Sequence, residues 1–272
     1  MPGILLRIPY IQNKVSEVAT TQLSGHLGVP VKIGNVDIEW FNRLVLEGLY
    51  LEDQDGKVMF EANHVAAGFE IMPLLEGKFV FTTVRLFGFS FNLRKHTPES
   101  PLNLQFVIDA FASKDSIKKE KNIDLRFNSI MIRRGNFSYN VDSEKETPGK
   151  FNAKHIDIKN LSAKISLKAF NKDSVNAHIK KMSFDEASGF SLNKLSLNVV
   201  GNRDSAFVQD FEVRLPQTDL KIGRARIDLS EIDSLPALLN NAPIDLNITP
   251  SQICLKDLIP FRPGVQELRR HD

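Results

Sequence analysis

The sequence predicts a mainly β protein: a strongly bent antiparallel sheet, apolar on one side, capped by an N-terminal amphipathic helix and carrying a few short helices. Three observations lead there. Apolar residues alternate with period two from Val31 almost to residue 230. Turn-type residues such as Asp55-Gly56, Asn171-Lys172-Asp173, Gly201-Asn202 and Pro216-Gln217 separate the runs. A glycine-centred motif then recurs along the chain.

The helix comes first. Ile8, Ile11, Val15, Val18, Ala19, Leu23 and Leu27 fall at steps of three or four, one helical face. Pro9 suits the first turn, Gly28 the C-terminal cap, and Pro30 prevents continuation. The opposite face (Gln12, Asn13, Ser16, Glu17, Thr20, Ser24) is polar without being basic. A membrane-surface helix normally carries Lys and Arg there, so this helix is expected on the protein's own sheet, with Ile11, Val15, Val18, Leu23 and Leu27 inward.

Alternating runs follow, among them Leu44 to Leu51, Val65 to Ile71, Val84 to Leu93, Ile130 to Ile132, Leu161 to Leu167, Leu192 to Val200 and Leu220 to Leu229. Short connections make antiparallel meanders the natural arrangement. No regularly spaced crossover helices are present, which argues against a parallel α/β fold. Leu104 to Phe111 has helical spacing, and Met72 to Glu76 reads as one helical turn. Three segments follow as an organisation: 1–112, the helix and first sheet repeats; 113–122, a charged linker; and 123–272, further β repeats, incomplete at the C-terminus.

The motif is Leu44-x-Leu46-x-Gly48-Leu49-x-Leu51, repeated as Val84-x-Leu86-x-Gly88-Phe89-x-Phe91 and, more loosely, from Ile130 through Gly135 to Tyr139. Alternation resumes on the opposite parity after Gly48 and Gly88. A strict strand would then send Leu86 and Phe89 to opposite faces. A one-residue bulge at Gly48, Gly88 and Gly135 would return them to one face and bend the strand. Repeated bends curl a sheet into an open gutter, or turn the corners of an ordinary sandwich or barrel. About a dozen strands would make a groove on the order of 55 Å long.

Composition narrows the function. The 272 residues hold 35 Lys+Arg against 33 Asp+Glu, a net charge of +2, which argues against a dedicated nucleic-acid binder. Phe 19 against Tyr 3 and Trp 1 favours dry surfaces. The single Cys254, between Ile253 and Leu255, excludes an internal disulfide framework and reads as a small buried hydrophobe. No run reaches ~18 apolar residues, so no transmembrane helix is expected. The six histidines show no metal-ligand spacing. Ser116-x-x-Lys119 lies in the charged stretch, and Ser191-x-x-Lys194 places its members on opposite faces of a strand. Asp53-x-Asp55-Gly56 is too short for a calcium loop and sits at a hairpin turn. No catalytic residue, metal site or cofactor is expected.

Residues 4–112 carry a resemblance. Ile8-Pro9-x-Ile11-Gln12-x-x-Val15 is followed by Leu23-x-x-x-Leu27-Gly28-x-x-Val31. Then come Ile33-Gly34-x-Val36-x-Ile38-x-x-Phe41-x-x-Leu44-x-Leu46-x-Gly48, Leu51-x-Asp53-x-x-Gly56, Leu74-Leu75-x-Gly77 and Val84-x-Leu86-x-Gly88. In order and spacing these resemble the N-terminal region of the AsmA-like superfamily, in particular TamB-type translocation and assembly module proteins. The resemblance implies an open, taco-like apolar β-groove, anchored in the inner membrane of a Gram-negative envelope and reaching through the periplasm. It implies phospholipid as cargo, with outer-membrane protein assembly beside a barrel partner as the alternative, and no enzyme activity. The family's membrane anchor is absent here, so the chain is expected to be an N-terminal piece of a longer protein. Phe79, Phe81, Val84, Leu86, Phe89 and Phe91 are the lipid-groove candidates; packing beneath the helix is the competing role for the same side chains.

Overall fold

The computed structural model describes residues 9–39, 42–72, 79–111, 123–170, 174–202, 204–228, 244–249 and 251–261. The helical turn expected over Met72 to Glu76, beyond Met72 itself, and the charged linker lie outside them. Helix α1 (Pro9–Leu27) precedes strands β1 (Val31–Lys32), β2 (Asn35–Glu39), β3 (Arg43–Glu52), β4 (Val58–Phe69) and β5 (Phe79–Lys95). After helix α2 (Gln105–Phe111) come β6 (Ile123–Val141), β7 (His155–Phe170), β8 (Ser174–Glu186), β9 (Ser191–Asn202), β10 (Ser205–Arg214), β11 (Asp219–Asp228) and β12 (Ile244–Ile248). A 3-10 helix, Leu255–Phe261, ends the series.

The fold is mainly β, as the alternation predicts. One open sheet has the order β1-β3-β4-β5-β6-β7-β8-β9-β10-β11-β12, with β2 also paired to β3. From β3 onward sequential neighbours pair, so the sheet is a meander with β1 and β12 at its ends. The chain divides into two compact units. Unit 1 comprises Met1–Phe127, Met131–Thr147 and Asn152–Asn160; unit 2 comprises Asn128–Ile130, Pro148–Phe151 and Leu161–Asp272.

In unit 1, Gly28 ends α1 as expected, with φ at 69° and its N–H donated to the Ser24 carbonyl at 2.9 Å. The core beneath the helix is Val31, Ile33 and Val36, packed by Ala19, Leu23 and Leu27 from α1 and by Leu44, Leu46, Leu49 and Leu51 from β3. Val18 is a correction: it is 52% exposed, and Ala19 takes the inward place. Ala19, Leu23 and Leu27 are spaced by four, and Val18 stands about 100° around the helix from Ala19. The side chains of Ile11 and Val15 lie outside the described residues.

The polar flank of α1 has its own task. Ser24 Oγ accepts the Val31 N–H at 3.0 Å and donates to the Val31 carbonyl at 3.2 Å. Thr20 Oγ1 accepts the Ile33 N–H at 3.2 Å. Backbone groups on the outer side of the end strand, which would otherwise offer a pairing template, are thereby occupied.

Leu44, Leu46, Leu49 and Leu51 all reach one cluster, so the parity change keeps one face apolar as the motif predicts. The device differs from a one-residue bulge. Pairs Glu47↔His64 and Leu49↔Ala62 flank Gly48, and pairs His64↔Phe87 and Ala62↔Phe89 flank Gly88, with the register unchanged across both. Val31↔Leu51 and Asn35↔Glu47 likewise keep one register around Gly34. Gly34, Gly48, Asn63 and Gly88 therefore form one row across four positions of the sheet, and every strand switches parity at that row. No strand gains a residue there, so the ladder resumes in step. Gly48 (φ 61°) and Gly88 (φ 59°) take the left-handed conformation that turns the strand over.

Gly135 is a second correction. The left-handed residue of the third copy is Arg134, at φ 52°. A Cβ on Gly135 would stand 2.2 Å from Phe89 Cε1, so this glycine leaves room for the Phe89 ring. One-residue bulges do occur elsewhere: Met59, 1% exposed, is the extra residue between Leu51↔Phe60 and Glu52↔Val58.

The Asp53 turn joins β3 to β4 and is tied to the far end of β5. Asp53 is 2% exposed. Its Oδ1 accepts the N–H groups of Asp55 (3.0 Å) and Lys57 (2.9 Å). Its Oδ2 accepts Arg94 Nη2 and Asn103 Nδ2, both at 3.0 Å. Asp55 pairs with the same Nη2 at 2.6 Å, and His96 stands between Asp55 (3.2 Å) and Asp142 (3.3 Å). Burial alone would raise the Asp53 carboxyl; the hydrogen bonds from Asn103 and Lys57 N–H and the Arg94 charge outweigh it and hold it below its ordinary range.

Candidate functional site

Cross-strand partners share a face, so the ladder assigns every paired residue a side. In unit 2, β8 and β9 pair Ala177↔Val199, Ile179↔Leu197, Met182↔Leu195 and Phe184↔Leu192. Next, β9 and β10 pair Val199↔Val208 and Leu195↔Val213. The face continues through Ala206↔Ile227, Val208↔Ala225, Phe211↔Ile222 and Val213↔Leu220. It ends on β12 with Ile222↔Ile248, Ala225↔Leu246 and Ile227↔Ile244. Strands β8 to β11 therefore turn aliphatic or Phe side chains to one side, and β12 extends the ladder in register. Register shifts at Ile179/Met182 and Gln209/Glu212 change the parity of β8 and β10 in time to preserve it.

The other side is polar. Lys194 meets Glu212 at 2.5 Å, Arg214 meets Glu212 at 2.5 Å, and Lys221 meets Asp219 at 3.7 Å. The Lys194 hydrogen bond leads in holding the Glu212 carboxyl below its usual value.

The apolar side of unit 2 is only partly covered among the described residues. Strands β8 to β12 pack mainly against their neighbours in the sheet, and the 3-10 helix meets one end of it. Leu192, Ala206 and Ala225 are buried, whereas Ala177, Ile179, Met182, Leu195, Leu197, Val199, Val208, Phe211 and Ile222 are half-buried. Such a continuous, partly open apolar face marks a surface that meets something apolar.

At one end of unit 2 an aromatic cluster closes the sheet. Phe261 lies 4.9 Å from Phe151 and 4.9 Å from Phe190, and Phe190 lies 6.1 Å from Phe184. The 3-10 helix carrying Phe261 is pinned by the buried Asp257, whose Oδ2 accepts the Gln217 N–H at 2.9 Å. Cys254 is half-buried, and its thiol donates to Gln217 Oε1 at 3.3 Å.

In unit 1, Val84, Leu86, Phe89 and Phe91 pair with Ala67, Val65, Ala62 and Phe60, so the four candidates share a face. Phe89 is 6% exposed and packs in the protein itself, 6.1 Å from Phe60 and across Gly135. Phe91 lies 5.7 Å from Phe60 and 6.2 Å from Phe137. Val84, Leu86 and Phe91 are half-buried. Phe79 and Phe81 belong to β5, and their side chains lie outside the described residues. The candidates chosen from the repeat thus sit in the better-covered unit. The more open face, on β8 to β12, carried no glycine motif to mark it; its signal was the plain alternation.

Among the described residues no group of three His, Cys, Asp or Glu side chains could hold a metal ion, and no helix is long and apolar enough to cross a membrane. Fold and site define a class: an open antiparallel meander whose apolar face is left partly uncovered. Comparison with protein-family models, with curated proteins and with solved structures gives no match to this chain.

Proposed function

We propose that the protein binds acyl chains on its apolar strand face and conducts phospholipid along it, as the membrane-proximal part of an inner-membrane-anchored periplasmic protein. The observation that carries this reading is the β8 to β11 face, apolar on each strand and half-exposed along Ile179, Leu197, Val199, Val208, Phe211 and Ile222. The resemblance of residues 4–112 to AsmA-like proteins supplies the compartment. Binding needs no reactive group. Ten methylenes laid on such a face contribute on the order of 8 kcal/mol before the cost of ordering the chain. Head groups remain in water while tails exchange position along the strands.

The test is direct. Purified protein is incubated with phosphatidylethanolamine and phosphatidylglycerol vesicles, re-isolated and extracted with organic solvent. Phospholipid is expected in the wild type and only background in a Val199→Asp, Ile222→Asp variant of unchanged strand content. A wild type that emerges lipid-free would overturn the reading. A second role, a scaffold for barrel assembly beside an outer-membrane partner, is favoured by one observation: β12 ends the sheet order, leaving an edge for strand addition. That role predicts a barrel complex that survives the same two Asp substitutions.

A further inference from the structure

Phe207 is an aromatic residue on the charged side of unit 2. Its ladder partners are Val200 on β9 and Arg226 on β11. The guanidinium carbon of Arg224 lies 4.7 Å from its ring centroid, and that of Arg226 lies 5.8 Å away. Asn247, opposite Arg224 on β12, completes with these three a recess of about 360 Å³. A guanidinium held over a ring keeps its N–H edge free to donate. Positions 224 and 226 are two apart on one strand, so their Cα atoms stand about 7 Å apart on the same side. One tetrahedral anion between them can be reached from both.

The charge pattern sets this pair apart. Farther along the same two strands, Arg214 and Lys221 pair with Glu212 and Asp219. Glu212 and Asp219 on these strands pair with Lys194, Arg214 and Lys221 and not with Arg224 or Arg226. Two exposed cations are thus gathered on one ring, with an amide donor beside them.

We propose that Phe207, Arg224, Arg226 and Asn247 form a phosphate-binding site on the face opposite the apolar one. Two guanidinium forks supply two positive charges and paired donors, which match a phosphate group better than a carboxylate. The phosphate is carried by a soluble phosphorylated molecule or by a membrane surface. The site does not depend on acyl chains lying on the other face, so it stands or falls separately from that reading.

The full chain is titrated with inorganic phosphate by calorimetry and sedimented with phosphatidylglycerol or phosphatidylcholine vesicles. Saturable phosphate binding is expected, weakened at least ten-fold by Arg224→Gln with Arg226→Gln and also weakened by Phe207→Leu. Lys221→Gln, a nearby basic position, is expected to change it less than two-fold. Circular dichroism checks that the double variant keeps its strand content, and the single substitutions repeat the test if it does not. Sedimentation with phosphatidylglycerol that depends on the two arginines assigns a membrane source; phosphate binding without it assigns a soluble one. Asp245 stands opposite Arg226 in the ladder. Asp245→Asn is expected to tighten binding. The proposal is overturned if only the Asp245→Asn variant binds phosphate, if the wild type binds neither probe, or if Lys221→Gln costs as much as the arginine changes.

Discussion

Phe89 lies across Gly135, and a Cβ at 135 would meet the ring at 2.2 Å. Gly135→Ala forces that ring aside and is expected to destabilise unit 1 by about 1–3 kcal/mol, the usual cost of overpacking. Urea unfolding measures the loss, and Phe89→Leu in the same background should return part of it; equal loss in both backgrounds would refute the contact as the cause. The repeat made Gly135 conspicuous without disclosing its task, because a glycine records only that a Cβ is unwelcome. The left-handed positions at Arg134, Asn160 and Asp210 were invisible for the converse reason: a search for glycine passes over them. Asp53 was readable as a turn residue, whereas its bonds to Arg94 and Asn103, distant in sequence, were not. Its folded carboxyl lies below the ordinary value of 3.8. The stabilisation it contributes is therefore present above pH 3.8 and is lost as pH falls through the lower folded value. Asp53→Asn should flatten the acid limb of the stability profile of unit 1; an unchanged limb would assign that limb to other groups.

Helix α1 shows what a single element can and cannot announce. Its apolar spacing gave the inward stripe and Gly28 gave its end, yet the polar flank read as plain solvent-facing surface. Thr20 and Ser24 acquire their role only because β1 stands at the end of the sheet order, a fact about pairing that no local window contains. Thr20→Val and Ser24→Ala should each cost roughly 1 kcal/mol, the net worth of a hydrogen bond in a partly buried setting. Hydrogen exchange separates this from a general loss of stability. The Val31 and Ile33 amides are expected to exchange about five-fold faster, with the β9 amides unchanged. Faster exchange spread evenly over both strands would show that the hydroxyls act on the whole unit and leave the edge itself untouched.

Across the whole molecule, alternation and short turns were enough to read a sequential antiparallel meander, because neighbouring runs joined by tight turns pair with each other. The alignment of Gly34, Gly48, Asn63 and Gly88 in one row was beyond reach, since register sets it and register is a relation between strands. The consequence reaches function. Unit 1 has a core beneath α1, whereas the β8 to β11 face leaves most of its aliphatic side chains half-exposed, so a lipid that binds apolar surface should act on the two unequally. Delipidated protein mixed with phospholipid vesicles at about a hundred times the dissociation constant should gain ~2.7 kcal/mol of protection wherever binding and folding are linked. That gain, near a hundred-fold in exchange rate, is expected at the β8 to β11 amides and absent from α1, β1 and β2. Val199→Asp should abolish it without altering phosphate binding at Arg224 and Arg226, because the two surfaces lie on opposite sides of the same strands. Protection rising equally in α1 and β9 would mean that lipid contacts the sheet without preference for the uncovered face, and the conduction reading would fall with it.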